Sequence, residues 1–561
     1  MSVGKKSFFS EKLDRALTSC QEGYHLLRHR GPGQIQFWFI ALVVGIAAGF
    51  AALFFRKGVN ALQTFVYGTE DVRLLHSFAE SLPWYLILII PMIGGLVVGI
   101  ILHLFTKDAR ARSVADVIYG AAIKNGRVET KAGLASALAS MITLGTGGST
   151  GREGPVVHLA AVISTWVNRR ILADGITGRD LLGCAVAAAV SASFNAPIAG
   201  ALFALEVVLR HFAVHAFAPI VVASAAGTVI NRLEFGGVTE FTLGTVNEVQ
   251  FYQELPAYLL LGLVCGLVAV ALMRAIFLAD DFGSEVQNRF SIPRWLRPAI
   301  AGALLGTIAI YFPHIIGVGY ETTFLALNGQ VLLWDAIVFA VIKTVAVAVT
   351  MGGRMGGGVF SPSLMIGALT GLSFGLIATS IFPDVSGSIS LYALAGMGAV
   401  AAAVLGAPIS TTLIVFELTG DWQTGLAVMV AVSLSTALAS QLVDRSFFLT
   451  QLERRDIHLA AGPQAYLLAM FRVSAVVRNK QDLLPAQEEA CRALMAEGVY
   501  IGRSATLEAA MPLFDDGHGV IPVVSPSTGE GPPEFVGALF HVDALKIYNR
   551  ALAATAAEEH S

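Results

Sequence analysis

Charge is what this sequence has least of. Asp, Glu, Lys and Arg make up only 14% of its 561 residues against 55% hydrophobic, too few charges to clothe a soluble chain of this size. The balance is close to neutral, net −3, so no basic excess points to nucleic acid. Cysteine is scarce as well. Cys20, Cys184, Cys265 and Cys491 share no pairing or metal-ligand spacing, which leaves them as isolated small apolar residues. The sequence offers no nucleophile–base pair, no metal-ligand cluster and no phosphate loop with a lysine. No catalytic residue, metal or cofactor is therefore assigned, and a membrane-bound enzyme is the remotest reading. The first 36 residues carry Lys5, Lys6, Lys12, Arg15, Arg28 and Arg30 with no apolar core among them. This argues for a cytoplasmic lead-in to a first span rather than a secretory signal.

What the chain has in abundance is apolar runs. Phe37 to Phe55 and Leu82 to Phe105 are each long enough to cross a bilayer, which takes about 20 residues. Beyond them the runs shorten and are broken by Gly and Pro, as at Val156 to Val167, Leu181 to Phe194 and Ile198 to Leu209. Two readings are open: kinked full spans, or helices that stop inside the bilayer and leave backbone N–H groups facing a protected polar cavity. A weak internal repeat favours the second. APIAGALFALE at Ala196 to Glu206 matches APISTTLIVFE at Ala407 to Glu417 in spacing. Upstream of each, a glycine loop leads into a proline-started apolar helix, at Gly147 to Ala161 and at Gly352 to Ala368. Matching interrupted helices in two halves point to an ion site at the repeat interface. The expected organisation is an N-terminal segment over 1–36, a membrane domain over 37–450 with repeats near 82–230 and 298–442, and a soluble tail over 451–561.

The loop Gly147-Gly148-Ser149-Thr150-Gly151-Arg152-Glu153-Gly154-Pro155 sets two charges among glycines at a helix start. Pro155 suits the first turn, where no N–H is needed. The unpaired amides and positive dipole of that helix end suit an anion, and glycine lets the backbone approach it. Glu153 then competes for the anion's place, and protonation would clear it. That makes Glu153 a candidate gate and proton acceptor; a buried structural pair with Arg152 is the other reading. Gly356-Gly357-Gly358-Val359-Phe360-Ser361-Pro362 offers a second such helix start, or else a glycine packing seam.

These loops, with the Ala-Pro helix starts at Ala196 and Ala407 and the PHIIGVGY segment at Pro313 to Tyr320, resemble the CLC family of chloride channels and chloride/proton antiporters over about 37–450. The resemblance implies an all-α polytopic membrane protein, with a CLC-type inverted repeat of tilted and broken helices, working as a homodimer in the lipid bilayer. It carries over Glu153 as the gate, and Ser113, Arg152, Gly154, Val359, Phe360 and Phe448 as the anion-binding set. Three departures stand out. Around Ser113 the family's glycine-rich loop reads Arg112-Ser113-Val114-Ala115-Asp116, so Ser113 is either a ligand or a helix cap. Where the family has a tyrosine this chain has Phe448, with Phe447 as the alternative register, and phenylalanine donates no hydrogen bond. Where coupled members have an inner proton-passing glutamate it has Val207, with Glu206, the partner of Glu417, one residue before it. His158 reads as packing, and Asp421-Trp422 as a helix end.

The tail reads as a helix at Thr506 to Phe514, strands at Gly519 to Val524 and Phe535 to Phe540, a turn at Ser525 to Pro533 and a helix from Val542. It resembles one α/β CBS module, with a degenerate first copy near Gln464 to Gly498 and an adenine nucleotide as a minor possibility. The function expected is transport of chloride or a similar small anion, channel-like or weakly proton-coupled; the alternative is a chloride/proton antiporter. The expected setting is a bacterial inner membrane with both termini cytoplasmic.

Overall fold

The computed structural model describes residues 33–69, 71–171, 176–212, 214–236, 251–419, 422–457, 459, 468, 471–525 and 534–559. Most of the lead-in over 1–36, the Asp421 helix end, the turn after Ser525 and part of the stretch after Gln464 lie outside them. The chain divides into two units, one ending at Ile457 and the other beginning at His458, a few residues beyond the boundary read from the charges after Thr450.

In the first unit the helices run α1 (Gln34–Tyr67), α2 (Leu75–Glu80), α3 (Trp84–Phe105), α4 (Val114–Ile123), α5 (Thr130–Gly145), α6 (Glu153–Asn168), α7 (Ile176–Phe194), α8 (Pro197–Phe203) and α9 (Val214–Phe235). A long α10 (Phe251–Arg289) then leads to α11 (Arg297–Tyr311), α12 (Tyr320–Leu327), α13 (Leu333–Gly352), α14 (Phe360–Ile381), α15 (Ile389–Leu405), α16 (Pro408–Thr419), α17 (Trp422–Leu442) and α18 (Phe447–Glu453). Seven helices among the described residues are long and apolar enough to cross a membrane. Between them stand shorter apolar helices such as α4, α11 and α16. The chain is thus an integral, multi-pass membrane protein built from both full-length and interrupted helices. α3 to α9 and α11 to α17 fall in the two stretches marked by the internal repeat.

Lipid supplies no hydrophobic drive between helices, so close backbone contact has to hold them together. α3 and α11 show how the sequence arranges it. Gly95 and Gly99 lie one turn apart, as do Gly302 and Gly306. A Cβ on Gly99 would stand 1.9 Å from the Trp295 carbonyl, and one on Gly302 would stand 2.1 Å from that of Pro91. Any larger residue at these four points would wedge the pair apart.

The repeat motif has a reciprocal structural role. The Glu206 carboxylate, in the π-type turn Ala204–Leu209 that continues α8, accepts hydrogen bonds from the amides of Ile409 (2.9 Å) and Ser410 (2.8 Å). Glu417 in α16 does the same for Ile198 (3.0 Å) and Ala199 (2.8 Å) at the start of α8. Each carboxylate thus meets the orphan amides and positive dipole end of the other half's helix.

The second unit holds a four-stranded mixed sheet in the order β1-β4-β3-β2, of β1 (Arg478–Asn479), β2 (Ile501–Gly502), β3 (Val520–Ser525) and β4 (Glu534–Phe540). β2 and β3 are parallel, and β3 and β4 antiparallel. Helices α19 (Pro485–Ala496), α20 (Leu507–Asp515) and α21 (His541–Glu559) accompany it. Leu507, Phe514, Ile521 and Leu539 form its buried core. The helix, two strands and helix expected after Thr506 are present within about two residues of their read positions.

Candidate functional site: a central cavity between two glycine loops

The two glycine loops, 200 residues apart in sequence, are joined by their backbones. Gly151 N–H donates to the Gly358 carbonyl at 2.7 Å, and Gly358 N–H donates back to Gly151 at 2.8 Å. Thr150 Oγ1 also donates to the Gly358 carbonyl, at 2.9 Å, and Thr143 Oγ1 donates to the Met355 carbonyl. Gly357 sits at φ +128, and a Cβ there would lie 2.1 Å from Thr150 Oγ1. Only glycine meets both the dihedral and the space. The second loop is therefore more than a packing seam between helices: it holds the start of α14 against the start of α6.

A cavity of about 20 Å³ lies where these helix starts meet, room for roughly one water-sized particle. Ser113, Glu153, Val359, Phe360, Phe448 and Gln451 line it, with Gly154 and Gly358 supplying open backbone. Each element brings its residue for a legible reason. α6 opens at Glu153 with Pro155 in its first turn, so the carboxylate sits at the positive end of that helix. α14 opens at Phe360, capped by Val359, and the Phe360 ring rests 4.7 Å from that of Phe194. α18 presents Phe448 and Gln451, three residues apart and so on one helix face.

Glu153 is 3% exposed and its Oε1 accepts the Ser361 hydroxyl at 2.5 Å. A Cβ on Gly151 would come within 2.8 Å of Glu153 Oε2, so the loop glycine makes the carboxylate's seat. Arg152 Nε stands 3.9 Å from Glu153 Oε1. The Arg152 guanidinium also reaches the Ser193 carbonyl at 3.2 Å and lies over the Tyr320 ring at 5.1 Å. Of the anion-binding set read from sequence, Arg152 is the one residue that does not line the cavity.

Ser113 takes the helix-cap role and stands at the cavity wall. At the N-cap of α4, its N–H donates to Asp116 Oδ2 at 2.8 Å. Its hydroxyl donates to Gln451 Oε1 at 3.2 Å. Behind it, His158 Nδ1 stands 3.3 Å from the Ser113 carbonyl; the histidine braces the loop, in keeping with a packing role. Val207 is 5% exposed and does not line this cavity.

A second, larger cavity of about 90 Å³ adjoins the first, and the two share Ser113, Met351, Gly357 and Gln451 in their walls. Arg110, Arg354, Arg454 and Arg455 line it together with Asp280. Three guanidiniums crowd that one carboxylate: Arg297 at 2.9 Å, Arg110 at 3.3 Å and Arg354 at 3.6 Å. Asp281 pairs with Arg454, and Asp116 with Arg455 at 2.8 Å. Positive charge is in excess around Asp280, which favours small anions in this vestibule. Sequence reasoning missed Ser361, Gln451 and the arginines. Ser361 lay in plain view inside a loop read for its glycines, and Gln451 follows from placing Phe448 on a helix; the arginines, spread over some 350 residues, carried no local signal.

Known proteins agree with this architecture. The sequence profile described as voltage gated chloride channel matches residues 94–440. A ClcB-like protein from Ralstonia nicotianae is 31% identical over 398 residues, spanning 70% of this chain and 91% of the relative. The voltage-gated ClC-type chloride channel ClcB of Escherichia coli is 28% identical over 411 residues, 72% of this chain and 95% of the relative. Among solved structures, a slow cyanobacterial Cl⁻/H⁺ antiporter superposes with a TM-score of 0.67 at 20% identity, over 76% of this chain and 98% of the other. A eukaryotic CLC transporter gives 0.63 at 16% identity, over 90% and 97%. At such identities the structural likeness speaks for the fold, while the profile and the Ralstonia relative speak for descent. The chain belongs to the voltage gated chloride channel family, the CLC proteins.

Proposed function

We propose that this protein moves chloride or a similar small anion across the membrane through the central cavity, with Glu153 as the gate and with little or no proton coupling. The observation that carries the reading is the Glu153 carboxylate, seated in a cavity built from helix starts that suit an anion. A carboxylate and an anion compete for such a place, and protonation of Glu153 favours the anion. Ser113, Gly154, Val359 and Phe360 are the groups positioned to hold it. Weak coupling is supported by Val207, which carries no proton, and by Glu206, whose two oxygens are engaged at the start of α16. The second reading, a chloride/proton antiporter, is favoured by Glu153 itself, which is able to carry a proton as well as block an anion.

The test is simultaneous recording of chloride and proton flux from liposomes under a chloride gradient with no initial pH difference. Chloride efflux with no proton movement supports the passive reading. Proton uptake against its own gradient establishes antiport and overturns it. Absence of any anion flux overturns both. We further read the protein as a homodimer in a bacterial inner membrane with both termini cytoplasmic, supported by the basic residues before the first span. The tail is read as a CBS-like module with a structural role, adenine nucleotide binding being the lesser option.

A further inference from the structure

The three arginines around Asp280 are not equivalent. Arg297 is 5% exposed and commits every guanidinium nitrogen to the protein: Nε and Nη2 donate to the Gly352 carbonyl, Nη1 to Ser284 Oγ at 2.9 Å, and Nη2 also to Asp280 Oδ1 at 2.9 Å. It does not line the larger cavity, and it serves as the fixed counter-ion of Asp280. Arg110 and Arg354 do line that cavity. Among the described residues, the Arg110 side chain donates only to Asp280 Oδ2, at 3.3 Å, and that of Arg354 only to Ser284 Oγ, at 3.4 Å. Arg354 Nε is buried without a hydrogen-bond acceptor, the Asp280 oxygen standing 3.6 Å away. The other two arginines in the wall are matched one to one, Arg454 with Asp281 and Arg455 with Asp116. With Asp280 neutralised by Arg297, Arg110 and Arg354 leave two positive charges and most of their N–H groups uncommitted at one cavity.

The backbone makes the same point about Arg354. Its φ is +61, a left-handed conformation that glycine takes freely and arginine takes under strain. Gly352, Gly353, Gly356, Gly357 and Gly358 surround it in the chain, so what position 354 adds to this loop is its side chain. We propose that Arg110 and Arg354 form a binding site for a tetrahedral dianion of the phosphate class, and that this ion, once seated, obstructs the anion's approach to the central cavity. The inference rests on the anion-transport reading and deepens it by naming an inhibitor of the same route.

Charge and shape together select the ligand. Two unmatched guanidiniums balance two negative charges, and their forked donors can engage several oxygens of a tetrahedral oxyanion, where chloride offers a single atom. Asp280 is the one carboxylate in the wall, and its pairing with Arg297 weakens its repulsion of the dianion. The larger cavity, of about 90 Å³, has room for such an ion; the central one, of about 20 Å³, admits roughly one water-sized particle. A phosphate therefore stays where it binds. Gly357, three residues from Arg354, belongs to both cavities, so an occupied site lies in the path of the transported anion. Inorganic phosphate and a lipid phosphate headgroup share this chemistry, and the source is decided by experiment.

The test uses the full-length protein in liposomes of neutral lipid and records chloride flux as inorganic phosphate is added to one face or the other, with ionic strength held constant by gluconate. Phosphate on one face is expected to lower wild-type flux fivefold or more. Arg110→Gln removes one of the two charges. Arg354→Gly removes the other and relaxes the backbone, which separates loss of charge from loss of fold. Referred to its own flux without phosphate, each variant is expected to need tenfold or more phosphate for half-inhibition, and the double variant to escape the block. Binding is read separately as the rise in melting temperature that phosphate gives the detergent-purified protein, expected in the wild type and absent from the double variant. Liposomes containing phosphatidate distinguish the sources: block that requires phosphatidate, ignores free phosphate and is lost in the double variant assigns the site to a lipid headgroup, and block by free phosphate in neutral lipid assigns it to the soluble ion. Equal block of wild type and double variant overturns the site, and so does the absence of both block and thermal shift in the wild type. If Arg110→Gln does not purify, Arg354→Gly alone decides. A wild type that binds phosphate through these arginines yet moves no anion overturns the transport reading and leaves the binding site, whereas one that transports chloride and neither binds phosphate nor is blocked by it overturns the site alone.

Discussion

The two glycine loops share a backbone design and differ in what they carry. Both end in a proline-bearing first turn, and they clasp each other through Gly151 and Gly358. The first brings a carboxylate, Glu153; the second brings the amide and ring of Phe360 and the hydroxyl of Ser361, which holds that carboxylate at 2.5 Å. Elsewhere the halves are alike in function: Glu206 and Glu417 perform the same reciprocal capping. Where the halves are alike, the residues build the scaffold. Where they differ, they face the cavity, and this asymmetry sets a single carboxylate in a space of about 20 Å³ between two helix starts.

The largest effect should come from breaking the clasp. Gly357→Ala sets a Cβ 2.1 Å from Thr150 Oγ1 at a dihedral that L-residues rarely adopt, at a cost of about 3 kcal/mol. Anion flux in liposomes is expected to fall about a hundredfold; near-normal flux would show that the loops tolerate separation. Next comes the unlike residue itself. Glu153→Gln mimics the protonated gate, so flux between pH 4.5 and 7.5 should become flat to within about twofold, whereas the wild type should vary by about tenfold for each unit of pH over which the gate titrates. An unchanged pH profile removes Glu153 from the gate. Ser361→Ala loosens the hold on the carboxylate by one hydrogen bond, about 1 kcal/mol, and flux at pH 7 should rise about fivefold; no rise would mean that the serine only packs.

Changes in the like residues should act on stability alone. Glu206→Gln and Glu417→Gln each weaken a helix cap by about 1 kcal/mol, and both should lower the melting temperature in detergent, Glu206→Gln the more, because Glu206 also accepts the Ser410 hydroxyl at 2.7 Å. An unmoved melting temperature in either variant would break the symmetry argument. The smallest effect lies away from the cavity, where His76 pairs with Glu321 at 2.9 Å and its ring lies tilted against that of His314, 4.4 Å between centroids. His314 sits in the turn before α12, outside the long spans. Burial and the neighbouring His76 push its pKa from 6.5 down to about 4, against the pull of Glu321 and Asp335. Between those two values the unfolded chain binds the proton and the folded chain does not, so this group's contribution to stability is lost as pH falls from 6.5 to about 4. His314→Phe should flatten that limb of the stability curve by a small margin with flux unaltered; a curve of unchanged shape would place the acid sensitivity elsewhere.

Much of this was legible in the residues. Repeated Ala-Pro-Ile spacing gave away the paired helix starts, because interrupted membrane helices need a proline or glycine to begin and a polar partner to cap them. Glu153 was conspicuous as a charge among glycines in an apolar chain. Gln451 and Ser361 were not, since a glutamine or serine in a short helix ordinarily means little until its neighbours are known. Arg152 adjoins Glu153 in sequence, but a helix start turns successive side chains apart, and its guanidinium also reaches the Ser193 carbonyl and the Tyr320 ring.

By itself the sequence determined that the chain lives in a membrane, that its middle is built twice, and that a carboxylate stands at a helix start, because hydropathy, spacing and charge are local properties of the chain. Only the tertiary structure decided that the two glycine loops clasp, that three arginines share one aspartate, and that Ser113 meets Gln451. Those contacts join residues up to 338 positions apart, and chain folding in lipid, where close backbone packing and satisfied polar groups leave few arrangements, brings them together.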